Sequence, residues 1–152
     1  MYVTIAEAND YIAAHYLSTD PLRVSWDSLT DEYKQVLLTR SYDAIEMLPL
    51  RGRKASCGQQ TAFPRWPDTA VPECVKSAQI ENALELGNPS EEVAEYMRMH
   101  QLGVTEYKIG NLSEKLGGSS ADSNLMLSSG IVSFKAMQLL RPFLSGPFNI
   151  RG

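Results

Sequence analysis

Pro72-Glu73-Cys74-Val75-Lys76-Ser77-Ala78-Gln79-Ile80-Glu81-Asn82-Ala83-Leu84-Glu85-Leu86-Gly87 is the stretch that decides the fold class. Proline sits well as the first residue of a helix, where its missing N–H costs nothing. Val75, Ala78, Gln79, Ala83 and Leu86 then fall on one helical face, and the small side chains among them suit close approach of a second helix. Gly87 is the expected C-cap. Read outward from this segment, the chain is expected to be mainly α: a small helical domain of about four to five helices with one β-hairpin.

Upstream, Thr4 and Glu7 form a capping box, followed by Ile5, Ala8, Tyr11, Ile12 and His15 at helical spacing. His15, closing that stripe, reads as a partly buried core-edge residue. Asp20-Pro21 interrupts the pattern, and Leu22 to Asp27 reads as a linker carrying Trp26. Thr30, with Asp31 and Glu32 in the first turn, starts a second helix. Its apolar stripe is Tyr33, Val36, Leu37, Ala44, Ile45 and Leu48, with Arg40 snorkelling at the edge and Pro49 ending it.

Downstream, Asn88-Pro89-Ser90-Glu91 supplies cap, first-turn proline and capping-box glutamate for a helix through Val93, Tyr96 and Met97, ending near Gly103. Val104 to Ile109 reads as a strand and Gly110-Asn111 as a tight turn into Leu112–Leu116, a hairpin over about 104–116. Two strands alone are marginal in water, so the hairpin needs a helix beneath it or a strand from another chain beside it. Gly117–Asn124 is small and polar and reads as a mobile loop. Leu127, Ile131, Phe134, Met137, Gln138 and Leu140 suggest a last helix stopped by Pro142. The expected division is therefore a helical domain, 1–142, and a C-terminal docking tail, 143–152. The apolar residues Phe143, Leu144, Phe148 and Ile150 of that tail either fold back on their own core or dock on a partner as an extended strand.

The 152 residues are a one-domain length. Met1–Glu7 has neither a basic nor an apolar signal region, so folding in a cytosol is expected. Cys57 and Cys74, with His15 and His100, offer none of the close pairs a zinc site needs, and no metal or cofactor is expected. No phosphate loop, dinucleotide fingerprint or nucleophile elbow occurs. Carboxylate pairs such as Asp31-Glu32 stand at helix starts, where capping and the helix dipole account for them. The expectation is a protein that is not an enzyme.

Charge is segregated. Residues 1–50 carry three cations against eight acids, and residues 71–102 two against six. Between them, residues 51–70 carry four cations against one acid, on a chain of net charge −4. That segment holds Arg51-Gly52-Arg53-Lys54 and Gln60-Thr61-Ala62-Phe63-Pro64-Arg65-Trp66-Pro67, too broken by proline for a helix or a central strand. A basic, proline-stiffened loop on an acidic body is a contact surface. Net acidity makes an acidic protein face the favoured partner over nucleic acid, since phosphate attraction scales with the cations presented. Phe63 and Trp66, flanked by prolines, read first as plugs seating the loop on its own core.

Three separated features together resemble a known family. Tyr2-Val3-Thr4-Ile5-Ala6-Glu7-Ala8-Asn9-Asp10-Tyr11 opens the chain, with Trp26 a short way on. Leu50-Arg51-Gly52-Arg53-Lys54, Gln60, Phe63-Pro64-Arg65 and Val71-Pro72 form the middle. Tyr107-Lys108-Ile109-Gly110-Asn111-Leu112-Ser113 and Leu139-Leu140-Arg141-Pro142-Phe143-Leu144 come late. In order and spacing these resemble the head-to-tail connector (adaptor) proteins of tailed phages, in the branch labelled DnaT-like single-stranded DNA-binding protein. The polar segment Pro89 to Gln101 is longer than that pattern, and Phe63 stands where Trp is common.

The resemblance implies a structural virion protein, copies of which form a generally dodecameric ring beneath the portal protein. Genomic DNA passes through the ring without sequence-specific contact, and a head-completion (stopper) or tail-completion protein docks below. The implied location is the virion neck, and the host cytoplasm before assembly. Arg51, Arg53, Lys54, Arg65, Trp66, Tyr107, Ile109, Phe143, Leu144, Phe148 and Ile150 are the expected partner-facing residues. A ring uses heterologous contacts, which segregated charge suits. The alternative is a single-stranded DNA-binding accessory protein of phage replication, in which the basic loop and its aromatics form a stacking groove.

Overall fold

The computed structural model describes residues 1–102, 125 and 128–146, and over these the chain is mainly helical. Six α-helices follow in order: α1 (Ile5–His15), α2 (Pro21–Asp27), α3 (Asp31–Glu46), α4 (Glu73–Gly87), α5 (Glu91–Gln101) and α6 (Phe134–Leu140). A 3-10 turn, Arg141–Phe143, continues α6. Strand-like pairing among the described residues is limited to two isolated antiparallel bridges, Leu50–Leu144 and Lys54–Arg65. The expected hairpin at 104–116 and the loop Gly117–Asn124 lie outside the described residues.

The helix starts follow local chemistry. The capping box forms as read: Glu7 N–H donates to Thr4 Oγ1 at 3.2 Å and Thr4 N–H to Glu7 Oε2 at 2.7 Å. The bonds that Thr4 N–H and the Thr4 hydroxyl donate to the Glu7 carboxylate hold it below its usual range. Thr30 caps α3. The segment read as a linker is instead α2: Pro21 occupies its first turn, so Asp20-Pro21 starts a helix where it was expected to break one. Its Trp26 is buried, with Nε1 donating to Asn9 Oδ1 at 2.9 Å and the Lys34 ammonium 5.7 Å above the ring. α5 begins two residues later than its Asn-Pro signal, because Ser90 rather than Asn88 caps it: Ser90 Oγ is the acceptor for the Val93 N–H.

The stripe of α3 also shifts. Lys34, Leu37, Leu38, Ser41, Ala44 and Ile45 face inward, while Tyr33 and Val36 are exposed. A lysine stem covering Trp26 displaces the tyrosine expected there. His15 likewise is exposed rather than at the core edge, stacked on Tyr11 with centroids 3.9 Å apart, its Nδ1–H donating to Tyr11 O.

α4 is the axis of the molecule, packing chiefly on α3 and α6 and then on α2. Its Val75 and Ala78 belong to one apolar cluster, with the end of α3, Phe63, Ile131, Val132 and α6. Its Ile80, Ala83 and Leu84 belong to the other, with Val3, α1, Trp26, Leu37 and Leu38. The one-sided face read for it becomes burial on every side from Ala78 to Leu84. Gly87 is the last residue of α4 rather than its cap. A Cβ there would lie 3.0 Å from Leu37 Cδ1, so glycine serves close approach to α3.

The last helix is shorter than its apolar pattern. Gly130 at φ 86° turns the chain, Ile131 and Val132 are buried ahead of the helix, and Ser133 caps α6. The α-helix ends at Leu140, ahead of Pro142 as expected, and Pro142 lies within the 3-10 turn that follows.

Candidate functional site

From Pro49 to Pro72 the chain has no helix, and side chains hold its backbone in place. Phe63, 1% exposed, anchors the centre in edge-to-face contact with Tyr2 at 6.0 Å and Phe143 at 5.1 Å. The Glu46 carboxylate, at the end of α3, accepts from Ala62 N–H at 2.8 Å and from the Tyr2 hydroxyl. That hydroxyl accepts in turn from Phe63 N–H at 3.1 Å. Burial, and then the bond to Glu46, push the Tyr2 phenol far above its ordinary range.

The four cations of this segment divide in two ways. Arg65 points back into its own loop: Nε donates to Arg51 O at 2.7 Å, Nη1 to Ala62 O at 3.2 Å, and Nη2 to the Gly52 and Leu50 carbonyls. A planar guanidinium suits such a task, because its fixed fork reaches several acceptors at once. Lys54 Nζ donates to Gln59 O at 3.1 Å and Gln60 O at 2.9 Å. Gln59 adds bonds from Nε2 to the Thr61 and Pro64 carbonyls, both at 2.9 Å. Arg51 and Arg53 are exposed instead. The Arg53 guanidinium lies 5.0 Å over the Trp66 ring, and Trp66 is 61% exposed. The loop thus presents a cation–π pair to solvent with further positive charge beside it.

Of the two aromatics read as plugs, Phe63 behaves so and Trp66 does not. Cross-strand bonds place them: Ala55 N–H donates to Pro64 O and Trp66 N–H to Arg53 O, which sets Trp66 beside Arg53 and away from the core. Arg51, Arg53, Lys54, Arg65 and Trp66 therefore share one loop. Phe143 and Leu144 join its base. Arg51 N–H donates to Phe143 O at 2.8 Å, Leu144 bridges Leu50, and Ser145 N–H donates to Pro49 O at 2.9 Å. Of the two fates open to the tail, residues 143–145 take the fold-back on their own core. Tyr107, Ile109, Phe148 and Ile150 lie outside the described residues.

Sequence reasoning missed the polar interior of α4. Gln79 Oε1 accepts from Tyr2 N–H at 3.1 Å and its Nε2 donates to Leu38 O at 2.9 Å. Asn82 Oδ1 accepts from Val132 N–H at 2.7 Å and Ser133 N–H at 3.2 Å, while its Nδ2 donates to Gly130 O. Buried Glu81 accepts from the hydroxyls of Tyr11 and Tyr16 and pairs with Lys135. Burial and the bonds to Glu81 raise both phenols. Glu85, one turn on, is raised by burial and by the Glu81 charge. These groups tie α1, α3, α4 and α6 together. No spacing rule signals them, because their partners, backbone groups for Gln79 and Asn82 and side chains for Glu81, lie far away in sequence.

The described part is thus a small helical body bearing an ordered basic loop with an exposed aromatic. The chain belongs to the family described as "Putative DnaT-like ssDNA binding protein", whose profile matches residues 1–151. No curated protein and no solved structure matches it.

Proposed function

We propose that the chain binds single-stranded DNA through the face carrying Arg51, Arg53, Lys54 and Trp66. The observation that carries this reading is the exposed Arg53–Trp66 stack on a loop rich in cations. Sequence-tolerant single-strand binding combines positive charge that follows the backbone with an aromatic face on which a base stacks. The family description supports the same class of ligand. Affinity is modest and salt-sensitive, because the body around the loop is acidic. Fluorescence anisotropy with labelled oligo-dT tests it: the wild type binds at low salt, and Arg51→Ala with Arg53→Ala abolishes binding. Equal binding by that double variant removes the loop from the interface.

A second reading is the virion adaptor, in which copies form a ring below the portal at the neck, against a stopper or tail-completion protein. It is favoured by the late and early motifs quoted above and by α3, which exposes Tyr33 and Val36, with exposed Met47 just past its end. Such a ring seats the basic loop on the acidic helices of a neighbouring copy. Detection of the chain in purified particles, between portal and tail, supports it; an intact neck lacking the chain rejects it.

A further inference from the structure

Residues 53–59 line an open cleft of about 550 Å3 beside the Arg53–Trp66 stack. No carboxylate lines it. Three of its carbonyls are committed: that of Arg53 accepts from Trp66 N–H, that of Ser56 from Gln59 N–H and that of Gln59 from Lys54. Its donors are not. The N–H groups of Cys57 and Gly58 donate to no described residue, and Gly58 holds φ 86°. An ammonium has three donors, and Lys54 uses two of them on carbonyls. The Arg53 guanidinium lies over the Trp66 ring, and its N–H groups have no partner among the described residues. Successive unpaired backbone N–H groups next to cations make an anion-binding concavity.

We infer that this cleft is a phosphate subsite for a nucleic-acid strand, holding one phosphodiester while a neighbouring base stacks on Trp66. This rests on the single-strand reading above and deepens it, since Arg53 belongs to both the cleft wall and the stack. The strand is held at two adjacent points, one electrostatic and one aromatic. Binding is then insensitive to base identity but sensitive to loss of a backbone charge.

Ser56 is exposed, and its side chain makes no bond among the described residues, so it is the place to perturb the cleft without disturbing the fold. Ser56→Asp adds a carboxylate to the wall, and Ser56→Ala is the control. The expected result is oligo-dT binding about tenfold weaker for Ser56→Asp at low salt. The slope of log K against log[salt] falls by about 0.7, the loss of one phosphate contact. Ser56→Ala binds more tightly than Ser56→Asp, and all three melt alike. Wild type and Ser56→Asp binding oligo-dT equally overturns the subsite while leaving the single-strand reading in place. A wild type that fails to bind oligo-dT overturns both. Inorganic phosphate is the second probe, followed by NMR of the Cys57 and Gly58 amides. Shifts there with oligo-dT support a strand phosphate. Shifts with inorganic phosphate and none with oligo-dT make the ligand a free anion and overturn the proposal.

Discussion

Helix α4 and the loop from Arg51 to Pro67 are both organised by side chains bonded to backbone, yet they end in opposite states. On α4, Gln79, Glu81 and Asn82 close every polar group inward, joining segments far apart in sequence. In the loop, Arg65, Lys54 and Gln59 close chiefly carbonyls, over shorter sequence distances, and leave the Arg53 and Trp66 side chains and the Cys57 and Gly58 N–H groups without hydrogen-bond partners among the described residues. A cation in a basic segment is therefore not by itself a contact residue. Arg65 holds the loop shape that leaves Arg53 and Trp66 facing out.

The sharpest way to break that comparison is at Asn82. Asn82→Ala strands two buried N–H groups and one carbonyl, and is expected to cost about 3 kcal/mol in urea denaturation. A loss below about 1 kcal/mol contradicts the interior role given to α4. Arg65→Ala is next, at about 1–2 kcal/mol, because the released carbonyls lie nearer water. Arg65→Lys restores little of it, since an ammonium lacks the fork. Protease sensitivity within 51–67 is the readout, and full rescue by lysine shows that charge alone matters there.

Glu85→Gln follows, with a sign fixed by linkage. The folded carboxyl is raised above its usual 4.5 by burial and by Glu81. Its contribution is present below that value and is lost as pH rises through the raised one. The variant is therefore expected to melt with the wild type near pH 4 and above it near pH 8, measured by thermal scans. A constant difference across that range rejects the assignment. The smallest effect on stability belongs to Trp66→Ala, within about 0.5 kcal/mol, because the ring is mostly exposed.

The starts of α1 and α3 were legible because caps are local: Thr4 with Glu7, and Thr30, act within one turn. α2 was misread because Asp20-Pro21 marks either a break or a first turn, and only the burial of Trp26 decides. The inward turn of α3 was misplaced because Lys34 covers Trp26 with its stem, which hydrophobic periodicity scores as a polar face. The site was legible as a basic aromatic loop. Which of its cations face out was not, because that depends on carbonyl positions set by the Glu46–Ala62 bond and the Phe63 anchor.

The central claim is that the open face of Trp66 receives a base of single-stranded DNA. Tryptophan emission measures it directly, because Trp26 is 1% exposed and Trp66 is 61% exposed. Titrating oligo-dT into a Trp26→Phe variant is expected to quench the emission, with a slope of log K against log[salt] of about −2 for the Arg51, Arg53 and Lys54 contacts. Emission that stays unchanged at low salt, with the loop intact, contradicts the account.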